Sequence, residues 1–222
     1  ALVVDGAAPT DISLSSTSVN ENASVGTTVG LLSSTDVFSA GHTYSLESGS
    51  GDTDNASFAI SGANLNTAAS FDFETKSSYS IRIRTTDAGG LTYEEAFTIT
   101  IVDINEAPVI TSNSGGGTAS ISHNENISTV TTVTSTDEDG SSTATYSISG
   151  TDADDFIIDG SSGVLSFSPS PNFEVPTDSN ADNEYVVIVT VTDNTSLTDT
   201  QTITVTILDV NEAPVITSNG GG

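Results

Sequence analysis

The amino-acid sequence predicts an all-β protein made of two seven-stranded Greek-key sandwiches in tandem. Three observations carry that expectation. Apolar and polar residues alternate with a period of two, as in a strand with one buried face. The alternating stretches are separated by clusters of Gly, Asn, Asp and Ser, which favour turns. A nine-residue segment, Asn105-Glu106-Ala107-Pro108-Val109-Ile110-Thr111-Ser112-Asn113, recurs as Asn211-Glu212-Ala213-Pro214-Val215-Ile216-Thr217-Ser218-Asn219. A duplication at this spacing indicates repeated domains.

In the first repeat Ile81 and Ile83 alternate with Arg82 and Arg84, and Phe97, Ile99 and Ile101 alternate with Thr98 and Thr100. The second repeat has Ile203, Val205 and Ile207 alternating with Thr204 and Thr206. No stretch holds a helical period, and short strands between turns at this spacing predict about seven strands per repeat. Pro9, Pro108 and Pro214 mark a period of about 100 residues, a usual size for one core. The expected domains are residues 1–104 and 105–210, with residues 211–222 opening a linker to a further repeat beyond Gly222.

Composition narrows the function. The 222 residues include 30 acids but only three bases, Lys76, Arg82 and Arg84, for a net charge of −27. Such a surface cannot neutralise phosphates, so nucleic acid is excluded as a partner. The longest apolar run, Tyr185 to Val189, is far short of the roughly 18 to 20 residues that cross a bilayer as a helix. Cys, Met and Trp are absent, which removes disulfides, thiol chemistry and cysteine-ligated metals. An enzyme is not expected. A carboxylate pair such as Asp72 and Glu74 lacks the aromatic-lined cleft of a glycosidase, and no nucleophile motif or phosphate loop is present. With no basic-then-apolar leader before Ala1, the sequence reads as a piece of a larger protein.

The acids gather at strand ends. The first repeat has Asn20-Glu21-Asn22, Asp72-Phe73-Glu74 and Asp103-Ile104-Asn105-Glu106; the second has Asp137-Glu138-Asp139 and the lone Asp193. In kind and order these segments resemble a tandem cadherin, a family with an early Glu, a D-x-E, a D-x-N-D-N-x-P linker, then a D-x-D and a later Asp. The resemblance spans nearly the whole chain. It implies calcium between repeats, held here by Glu21, by Asp72 and Glu74, by Asp103, Ile104 and Asn105 of the linker, and by Asp137, Asp139 and Asp193. The linker reads D-x-N-E-A-P, one residue shorter than the family's, and Glu106 is its candidate for the second linker acid. The short linker, the absence of Cys and the Thr/Ser-rich turns look like the bacterial branch, found in large secreted or surface proteins.

Elementary chemistry agrees with calcium, a hard ion that takes 6 to 8 oxygen ligands. Two carboxylates about 5 Å apart repel by roughly 3 kcal/mol at an effective dielectric near 20, so eight of them need cations to stay together. Two or three calcium ions are expected. The bland alternative is that Asp and Asn simply serve β-turns. Phe73 and Phe173 are expected to anchor these loops in the core.

Three further sets follow from the same pattern. Glu125, Asn172, Glu174, Asp209, Asn211 and Glu212 repeat the first domain's set at the end of the second, forming a half-site for calcium. At the opposite end Asp36, Asp87 and the degraded Asp5-Gly6-Ala7-Ala8-Pro9 lack a D-x-D, so a calcium-poor end is expected. Asp178, Asn180, Asp182 and Glu184 resemble the start of an EF-hand loop, but Asn183 replaces its Gly and Val189 stands where the bidentate Glu belongs; a solvated loop is favoured. His42 and His123 read as polar surface or capping residues. The expected role is an extracellular or cell-surface adhesive or spacer segment, rigidified by calcium and contacting neighbouring repeats of its own chain and a cell-surface or polysaccharide ligand. A calcium-dependent polysaccharide-binding module is the alternative.

Overall fold

The computed structural model describes residues 6–37, 41–140 and 143–214. The chain forms two compact units, Ala1–Ile104 and Asn105–Gly222. Asp5 and the second copy of the repeated segment from Val215 onward lie outside the described residues.

Unit 1 contains β1 (Asp11–Leu14), β2 (Ser18–Asn20), β3 (Thr28–Thr35), β4 (Thr43–Leu46), β5 (Phe58–Ser61), β6 (Asn64–Thr67), β7 (Ser78–Thr86) and β8 (Thr92–Val102). Two four-stranded sheets result, ordered β1-β3-β6-β5 and β2-β8-β7-β4. Ile81 and Ile83 of β7 and Ile99 and Ile101 of β8 point inward and are buried against Ile12, Leu32, Phe58, Leu65 and Phe71. Each such side chain stabilises the fold by roughly 1.5–3 kcal/mol. The first strand is split: β1 pairs antiparallel with β3, the chain then crosses over, and β2 pairs parallel with β8. Gly30 permits that crossing, since a Cβ there would stand 2.7 Å from the Ser16 carbonyl oxygen.

Unit 2 contains β9 (Val109–Ile110), β10 (Thr118–Asn124), β11 (Thr129–Thr132), β12 (Ser135–Thr136), β13 (Thr145–Ser149), β14 (Phe156–Ile158), β15 (Val164–Phe167), β16 (Glu184–Thr192) and β17 (Thr198–Leu208). Its sheets are β10-β17-β16-β13, β11-β15-β14 and the short pair β12-β9. Ile203, Val205 and Ile207 alternate inward and join Tyr185, Val187, Val189 and Val191 of β16 in one core. Among the described residues the units have eight and nine strand segments where seven each were expected. The excess comes from splitting: the first strand divides between sheets in both units, and in unit 2 the second breaks at Val133 and Thr134.

Phe73 and Phe173 are partly buried against the two cores. His123 is 8% exposed, lies 5.7 Å from the Phe167 ring and bonds through Nε2 to the Ile127 carbonyl at 2.8 Å. His42, half-buried, pairs with Asp36, so both histidines are hydrogen-bonded rather than open polar surface.

Candidate metal centre

Each unit places one glutamate in the same way. Glu21 follows β2 and is 4% exposed; Oε2 accepts the Phe73 N–H and Oε1 the Ile104 N–H, both at 2.8 Å. Glu125 follows β10 and is 2% exposed; Oε2 accepts the Phe173 N–H at 2.9 Å and Oε1 the Val210 N–H at 2.8 Å. Each carboxylate thus ties the D-x-E or N-x-E loop to the strand leaving its unit. The Val210 N–H, reinforced by that of Phe173, holds the Glu125 carboxyl below the usual carboxylate range. A carboxylate anchored by two N–H donors keeps lone pairs for a further partner.

Other acids gather around each anchor. Glu21, Glu74 and Asp103 offer carboxylate oxygens that lie within 4.8 Å of one another, and so do Glu125, Glu174, Asp209 and Glu212. Oxygens bound to one calcium at about 2.3–2.6 Å are at most about 5 Å apart, so both groups fit a single ion of that class. They contain only hard oxygen donors, which suits calcium, magnesium or manganese rather than zinc or copper. Around the second group Asn126 donates from Nδ2 to Glu212 Oε1 at 2.9 Å, and Asn211 donates to the Glu212 carbonyl at 3.4 Å. Asn126 is a partner that the sequence pattern did not single out.

Asp72 stands outside the first group. Its two oxygens accept the Thr75 N–H and hydroxyl, each at 2.8 Å, and those bonds lower its pKa. Asn172 does the matching work in unit 2, accepting the Val175 N–H at 3.0 Å.

At the other end of unit 2, two consecutive residues engage the acids of the D-x-D and the lone Asp. Asn105 donates from Nδ2 to Asp193 Oδ2 at 2.7 Å and to the Glu106 carbonyl at 2.7 Å, while the Glu106 N–H donates to Asp139 Oδ2 at 2.9 Å. Asp137 Oδ1 accepts the Asp139 N–H at 3.2 Å. Asp193 also accepts the N–H groups of Thr195 and Leu197, both at 2.8 Å. Burial raises its pKa, but the bonds from Asn105, Thr195 and Leu197 outweigh this and lower it overall. Among the described residues, Asp137, Asp139 and Asp193 form no group of three acids within ligand reach of one another.

The loop at residues 178–184 is closed by its own backbone. Asp178, 6% exposed, accepts the N–H groups of Asp182 at 2.9 Å and Asn183 at 3.3 Å. Asp182 accepts from Asn180 Nδ2 at 2.8 Å and from the Glu184 N–H at 2.9 Å, and the Thr206 hydroxyl reaches Glu184 at 3.5 Å. These acids are not drawn together as the two groups above are.

The observed topology and acid placement can be set against known proteins. Residues 118–208 match the Cadherin domain family model. That stretch runs from the first residue of β10 to the last of β17, so the match covers most of unit 2. Over 93% of this chain the fold is similar to mouse cadherin-23 repeats EC22–24, with 24% identity and a TM-score of 0.54, and covers 66% of that chain. It is similar over 92% to protocadherin gamma B7 extracellular domains 1–4, with 19% identity and a TM-score of 0.56, covering 52% of that chain. Over 93% it is similar to the human desmocollin-1 ectodomain, with 22% identity and a TM-score of 0.50, covering 43% of that chain. The chain therefore spans two thirds or less of these multi-repeat ectodomains, and at such identity the likeness shows the cadherin-like fold. No curated protein matches the sequence. Among the described residues no helix is long and apolar enough to cross a membrane.

Proposed function

We propose that this chain is an extracellular, cell-surface adhesive or spacer segment whose linker, residues 103–106, is made rigid by bound calcium. One observation supports this most: within that four-residue stretch the Ile104 N–H is held by Glu21, Asn105 by Asp193 and the Glu106 N–H by Asp139. Each partner is an acid, and Asp103 itself belongs to the group with Glu21 and Glu74. The stretch is thus held by carboxylates on either side of the Ile104–Asn105 bond, and such oxygens attract hard cations. Glu21, Asp72, Glu74, Asp103 and Glu106, with the Ile104 carbonyl, and Asn105, Asp137, Asp139 and Asp193 would hold the ions. Bound calcium neutralises charge and restricts the backbone of that stretch. Glu125, Glu174, Asp209 and Glu212, with Asn172 and Asn211, would take a further ion more weakly without a following D-x-D. The short linker and the absence of Cys support a large secreted or surface protein of the bacterial type.

Calcium titration of the full chain by calorimetry tests this. Dissociation constants around 10⁻⁴–10⁻³ M are expected, the range of extracellular modules. Glu21→Gln and Asp193→Asn should each lower calcium stoichiometry while the far-ultraviolet circular dichroism stays that of the folded chain. Unchanged stoichiometry in both variants would remove the proposal.

A further inference from the structure

We draw no further inference here: the strongest candidate, the surface patch of threonine and serine side chains on the outer face of the sheet β10-β17-β16-β13, is an unpartnered sheet face, and nothing in the structure shows what covers it.

Discussion

Gly163, in the turn before β15, has φ +70, and a Cβ there would lie 2.1 Å from the Val133 carbonyl oxygen. That same turn gives and receives: the Val133 N–H donates to the Gly163 carbonyl at 2.8 Å. Gly163→Ala should therefore destabilise unit 2 by about 1–3 kcal/mol from backbone conformation alone, with the steric clash adding to it. Denaturant unfolding of the full chain should show the transition of unit 2 moved to lower denaturant and that of unit 1 unmoved; a variant as stable as the parent would contradict the close approach. The anchors Glu21 and Glu125 were legible as residues because each sits at a strand end in a repeated acidic pattern. The N–H bonds that hold them were not, since Ile104 and Val210 lie more than 80 positions away along the chain. The Asp36–His42 contact was hidden for another reason: nothing local in Gly41-His42 says that the ring will be buried.

At the scale of elements, the long strands β7, β8, β16 and β17 were readable because their inward positions are almost all Ile, Val or Tyr. The two-residue strands β9 and β12 were not, since a period of two needs several residues to be seen. The turn between β9 and β10 depends on Gln201, fully buried on β17, which accepts from Asn113 at 3.1 Å and donates to the carbonyls of Ser112 and Gly116. The sheet β2-β8-β7-β4 holds two of the three basic residues on its outer face. Glu94 bonds both, Arg82 Nε at 2.9 Å and Arg84 Nε at 2.8 Å. Those bonds, Arg84's first, hold the Glu94 carboxyl below the usual range. With the folded pKa lowered, the pair stabilises unit 1 above the unfolded carboxylate pKa of about 4.3, and this is lost as pH falls through the folded value. Glu94→Gln should lower the melting temperature of unit 1 at neutral pH and lessen its decline toward about pH 3. Thermal unfolding of parent and variant across that range checks it; equal midpoints at neutral pH and equal slopes would show that the pair contributes nothing.

For the whole molecule, the excess of acid over base governs behaviour. With a net charge of −27 and the three bases all in unit 1, the strand-end carboxylates have few protein cations to meet. Arg82, Arg84 and Lys76 are already paired with Glu94, Glu47 and Asp54. The excess of strand-end acid over base was therefore visible in composition and motif order. That Asp72 stands outside the group of Glu21, Glu74 and Asp103 was not, because it depends on which loops the strands bring together. Calcium should leave the two cores unchanged and act on residues 103–106. Small-angle scattering of the full chain, in saturating calcium and in chelator, measures this most directly. A broad distribution of maximum dimensions in chelator that collapses to one narrow, extended population in calcium is the predicted result; identical profiles in the two buffers would contradict calcium as the rigidifying agent.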